Sequence, residues 1–178
     1  MAGFWPAAAR VLKPGGTVAL WTMGRAGLHP SMPNAAAIQA AMHELWEREL
    51  NPFEEPGNLL ARNLYVDLPL PWTLAQPVAD FDEATFFRKE WGPGNSDEFF
   101  VGGKTVTDLD TFEKFMSTVS PVLRWREANP DAVGTERDIV KVIRTEFERL
   151  LHEAGVEKGK EVNRGSVEGV LLMVKKKA

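Results

Sequence analysis

The chain has 178 residues, 44% hydrophobic and 26% charged, with a formal net charge of −4. That is globular composition, enough to bury a core, and the acidic balance argues against nucleic acid as a partner. The absence of cysteine excludes disulfides, thiolate nucleophiles and sulfur-ligated metals. No basic-then-apolar leader opens the sequence, and no apolar run approaches the roughly 18 residues of a membrane span. A soluble cytoplasmic protein with no membrane partner is therefore expected.

In chain order, residues 2–13 are predicted helical, because Phe4, Trp5, Ala8, Val11 and Leu12 make one apolar face. Pro14 stops the helix, and Gly15 or Gly16 is expected to take the positive φ of its C-terminal cap. Residues 17–22 follow as a strand. Val18 and Leu20 face one way and Ala19 and Trp21 the other, so both faces are apolar, as in a strand covered on both sides. Gly24 to Pro33 is expected to be a loop, and residues 35–50 a helix capped by Ser31 or Asn34. Residues 51–80 are apolar but broken by proline, the pattern of a lid or pocket wall.

A strand is predicted over residues 85–91 and a turn over 92–97, with Gly102-Gly103 as a second turn. Asp108 or Asp110 should cap a helix over 111–119. Asn129-Pro130-Asp131 breaks the chain, and Thr135 with Asp138 resembles a capping box for a helix over 136–154. Residues 166–175 form the last strand, and Lys175-Lys176-Lys177 is read as a solvated tail.

This order resembles the C-terminal half of class I S-adenosylmethionine-dependent methyltransferases. Residues 4–19 match the Phe-Trp-x-x-Ala-x-Arg-Val-Leu-x-Pro-Gly-Gly-Thr-Val-Ala segment of the fungal branch related to trans-aconitate methyltransferases. Ser120, Arg124, Trp125, Arg126, Glu127 and Pro130 match a second segment of that branch, although Val119 stands where the family often has tryptophan. The resemblance implies an α/β fold: a partial Rossmann-like methyltransferase sheet, mixed and of few strands. It also implies one truncated domain over 1–178, with 24–82 as an α-rich lid insertion. The family grips its methyl donor with an acidic Gly-rich turn after its first strand and an acidic residue after its second. Neither is present, so no cofactor is expected for the isolated chain. S-adenosylmethionine would enter only if a partner supplied the missing half.

The resemblance also leaves one edge of the strand at 17–22 without its family neighbour, and the last strand would lie along the other edge. A bare apolar edge invites pairing. A homodimer comes first; a heteromer with another polypeptide, or a lid folded over the edge, are the alternatives. Candidate chemistry is sparse. His29 follows the buried strand, where open α/β sheets place ligands, and is the candidate catalytic base or hydrogen-bond donor, against a plain loop role. Trp21, Trp46, Tyr65 and Trp72 are candidate walls for an apolar substrate. Trp125 joins them, and Arg124 could meet a substrate carboxylate, with core packing and a surface ion pair as the competing readings. No metal-binding spacing appears. The expected activity is methyl transfer to a small molecule with a partner's help. A cofactor-independent cyclase or isomerase using the lid pocket, and a non-catalytic subunit, are the alternatives.

Overall fold

The computed structural model describes residues 3–92 and 106–178. The expected turns at 92–97 and 102–103 fall largely or wholly outside the described residues. The fold is α/β: helices α1 (Phe4–Val11), α2 (Ala35–Leu45), α3 (Pro56–Arg62), α4 (Leu109–Met116), α5 (Ser120–Ala128) and α6 (Ile139–Glu153) accompany strands β1 (Thr17–Leu28), β2 (Phe81–Trp91), β3 (Val106–Asp108) and β4 (Val162–Lys176). Among the described residues the sheet has four strands in the order β1-β4-β2, with β3 also paired to β4. The chain divides into two compact units, the first of Met1–Arg25, Leu59–Phe99 and Glu168–Ala178, the second of Ala26–Asn58 and Phe100–Val167. The segment 24–82 is shared between them.

In the first unit, α1 buries Trp5, Ala8 and Ala9 against Val18, Phe81 and Val174. Lys13-Pro14-Gly15-Gly16 closes a turn, with Gly16 N–H donating to the Lys13 carbonyl at 2.9 Å and Gly15 at φ 73°. Proline followed by a positive-φ glycine is the type II turn pattern. The glycines therefore serve the turn, and the helix end is capped elsewhere. Lys176 Nζ donates to the Ala9 carbonyl at 2.6 Å and the Leu12 carbonyl at 2.9 Å. A cation there satisfies orphan carbonyls at the negative end of the helix. The lysine run expected as a solvated tail thus has its middle member anchored.

Lys176 N–H also donates to Gly16 O at 2.7 Å, which sets the start of β1 against the end of β4 and makes the pair antiparallel. β2 runs antiparallel to β4 from Phe81 opposite Lys176 to Trp91 opposite Gly169, with an irregularity between Asp82 and Phe87. Thr85 closes that bulge, because its hydroxyl accepts the Lys175 N–H at 2.9 Å and donates to the Asp82 carbonyl at 2.6 Å. A backbone donor that the bulge would strand is thereby paired.

β1 differs from expectation in two ways. It runs on through the glycines expected as loop, to Leu28. It is also one-sided: Val18 is buried, while Trp21 is 60% and Met23 47% exposed. Alternation puts Ala19, Trp21 and Met23 on one face, and among the described residues that face is exposed.

In the second unit, α6 carries the core. Ile139, Val140 and Ile143 pack with Leu45, Leu50, Met116, Val122 and Trp125, and Phe147, Leu150 and Leu151 with Met32, Ile38 and Leu109. The α6 cap is Asp138 rather than the expected Thr135. Asp138 accepts from Val140 N–H at 3.1 Å and Gly134 N–H at 3.0 Å, and pairs with the Arg126 guanidinium at 2.9 Å. Thr135 donates to Ala132 O at 2.7 Å and so belongs to the preceding turn. Burial pushes the Asp138 carboxyl up, but the Arg126, Gly134 and Val140 donors outweigh it and hold the group below the ordinary aspartate range. α4 is capped by Asp108, one of the two expected caps, which accepts the Thr111 N–H at 2.6 Å, and the helix begins at Leu109 rather than the expected 111. α2 widens into a π turn over Trp46–Leu50. β3 pairs antiparallel with β4, Val106 opposite Arg164 and Asp108 opposite Val162. His29 N–H donates to Arg164 O at 2.8 Å.

Candidate functional site

The first unit holds a pocket of about 60 Å³, open to solvent on one side and lined by Phe4, Trp5, Leu20, Tyr65 and Leu68. α1 supplies Phe4 and Trp5, whose rings meet edge to face at 5.1 Å. The Trp5 indole N–H is already used, donating to Pro69 O at 2.7 Å. β1 supplies Leu20. The remaining wall is the turn after α3, where Val66 N–H donates to Asn63 O at 3.0 Å and both central residues have positive φ, Leu64 at 51° and Tyr65 at 58°. Asn and Gly favour such a turn; a left-handed residue with a Cβ costs about 1–2 kcal/mol.

Neighbours hold the turn in place. The Arg88 guanidinium donates to Leu64 O at 2.7 Å, and Leu64 lies over Gly24. A Cβ at Gly24 would stand 2.8 Å from Leu64 Cδ2. The Tyr65 hydroxyl donates to the Trp21 carbonyl across a long 3.4 Å.

Of the residues expected at a site, Tyr65 and Trp21 are brought together in this way, Trp21 through its backbone. Trp72 is half-buried in the same unit, edge to face with Phe86 at 5.4 Å. The other four lie in the second unit. His29 Nδ1 accepts from the Ser31 N–H at 3.2 Å and stands 2.7 Å from the Ser31 hydroxyl. A backbone N–H only donates, so the neutral ring carries its proton on Nε2 and presents a donor there. Trp46 Nε1 donates to Glu54 Oε1 at 2.7 Å. Arg124 Nε donates to Phe53 O and Nη2 to Asn58 Oδ1, both at 2.6 Å, and Nη1 lies 3.6 Å from Glu55. These contacts fasten residues 53–58 to α5. Trp125 is 8% exposed and packs with Leu50 and Val122.

Sequence reasoning missed Phe4, Trp5, Leu20, Leu68 and Arg88 as parts of the cavity and its wall. One signal was available: a glycine inside a strand marks a close approach, and Gly24 marks the approach of Leu64. Among the described residues no three His, Asp or Glu side chains form a metal-binding group. The cavity does not fit a sulfonium methyl donor. Its lining is apolar and aromatic with no carboxylate for ribose hydroxyls, and its volume is far below the several hundred Å³ of a cofactor site.

The fold is of the methyltransferase-like α/β class. Over 98% of its length the chain matches a solved chain, a candidate type II methyltransferase from Anaeromyxobacter dehalogenans, with a TM-score of 0.50 and 20% sequence identity. That likeness is one of fold. The chain spans 57% of that solved chain. No family model matches the chain, and no curated protein matches it.

Proposed function

We propose that this chain is a small-molecule methyltransferase-family protein, of the branch resembling fungal trans-aconitate methyltransferases, that works with a second copy of itself. The second copy pairs along the β1 edge, and the donor is held only by the assembly. The observation that carries this reading is the position of β1: an uncharged strand over Thr17–Gly24 at the end of the sheet order, beside a cavity that does not fit the donor. An apolar edge of this kind is a template for another strand. In such an assembly the chain's own residues bind and orient a small apolar or carboxylate-bearing substrate, with His29 Nε2–H as a donor to it and catalysis resting on positioning.

Light scattering with calorimetric titration of S-adenosylmethionine tests the reading. The expected result is a two-copy mass, reduced to one copy by the edge charge of Ala19→Lys, with donor binding lost alongside. Micromolar donor binding by a single copy overturns it. A second reading, a cofactor-independent cyclase or isomerase, is favoured by one feature: the apolar cavity with a tyrosine hydroxyl at its wall. Turnover of an apolar substrate unchanged by donor depletion would select it.

A further inference from the structure

We infer that the cavity of the first unit is a binding site for the short aliphatic end of a small molecule, with the Tyr65 hydroxyl as its one polar handle. This does not depend on methyl transfer.

The first argument is the lining. Phe4, Trp5, Leu20, Tyr65 and Leu68 bring two polar groups, the Trp5 indole and the Tyr65 hydroxyl. The indole N–H is spent on Pro69 O at 2.7 Å. Among the described residues the hydroxyl makes only the long 3.4 Å bond to Trp21 O. The pocket opens to solvent on one side, so water enters it, but its apolar lining offers few of the two to four polar partners that hold a water in place. An apolar group displaces such loosely held water favourably.

Size is the second argument. At about 60 Å³ the cavity can hold more than one water-sized sphere, yet it is well under the roughly 150 Å³ of an apolar cavity that admits benzene. The sheltered space matches a branched group of three or four carbons, and the rest of the molecule would leave through the open side.

The wall is the third. Tyr65 lines the cavity from a turn in which both Leu64 and Tyr65 have left-handed backbone. The Arg88 bond to Leu64 O, the Tyr65 N–H bond to Leu60 O at 2.9 Å and the missing Cβ at Gly24 keep them there. Strain that its surroundings over-determine gathers at ligand clamps. A turn serving only as a connection could relax with asparagine or glycine and keep its hydrogen bonds. This one places a phenol instead.

The test is a methyl-detected NMR titration of the full chain with two probes, xenon, which cannot hydrogen-bond, and 2-propanol, which can. Both should give saturable shifts at the Leu20 and Leu68 methyls. Leu68→Phe, which fills the space, should weaken both by about tenfold or more. Tyr65→Phe should weaken 2-propanol by about three- to tenfold, the worth of one hydrogen bond, and leave xenon nearly unchanged. If Leu68→Phe does not fold, Leu20→Phe makes the same test from the opposite wall. Shifts that never saturate, or that persist in a folded filled variant, overturn the site. Equal weakening of both probes by Tyr65→Phe overturns the handle.

Discussion

In the second unit α2, α4, α5 and α6 close around Ile38, Leu50, Val122, Val140 and Phe147, and the starts of α4 and α6 are capped by Asp108 and Asp138. Asp138 is 2% exposed yet takes donors from Arg126, Gly134 and Val140. Arg144 ties α6 to α4 through Asp110 and Glu113. The first unit is built on strands, and it leaves Phe4, Trp21, Met23, Val66 and Phe87 exposed and a strained turn in its wall. The second unit also leaves Val106, Phe115, Leu123 and Val133 exposed, but on four different segments of the chain. The contrast is one of arrangement: in the first unit Trp21 and Met23 share one strand face.

That contrast can be broken by substitution. The largest expected effect is Phe147→Ala in the second unit, a fully buried ring whose loss should cost about 3–5 kcal/mol by urea denaturation. Asp138→Ala comes next, at about 3 kcal/mol, because it removes a helix cap and leaves the Arg126 charge unpaired. Asp138 also sets a pH dependence. Its folded carboxyl titrates below the unfolded one, so its stabilisation is complete above the unfolded value, near pH 4, and is lost as pH falls through the folded value. Asp138→Asn should flatten that acid limb of the stability curve.

Smaller effects lie in the first unit. Lys176→Met uncaps α1 and should cost about 1 kcal/mol by thermal denaturation, more than the same change at exposed Lys175. Trp21→Ser should change stability least, by under about 1 kcal/mol, because the side chain is 60% exposed. If Trp21→Ser instead unfolds the chain as Phe147→Ala does, the exposed face is part of this unit's own core and the contrast fails.

Much of the fold was legible because periodicity reports burial. The stripe of α6 from Ile139 to Leu151 and the apolar run of β4 could be placed from spacing alone. α5 was missed: its buried residues are only Pro121, Val122 and Trp125, too few to show a period among charges. β1 was cut short because glycine inside a strand looks like a break, whereas Gly24 and Gly27 admit Leu64 and Ser166. Its covering was overcalled because an apolar face looks the same in sequence whether or not a second layer is present. The cavity was half visible. Tyr65 was a candidate by type, but nothing in a Leu-Tyr pair announces left-handed backbone, so the wall that presents it could be seen only in three dimensions.

The left-handed tyrosine has an evolutionary consequence. A site whose backbone would relax on mutation to glycine or asparagine is under steady pressure to drift to them when nothing opposes. Homologues that keep an aromatic ring opposite the equivalent of Gly24 would record selection acting on the side chain. Lineages in which the turn has lapsed to Asn or Gly would be those in which the chamber behind it had fallen out of use.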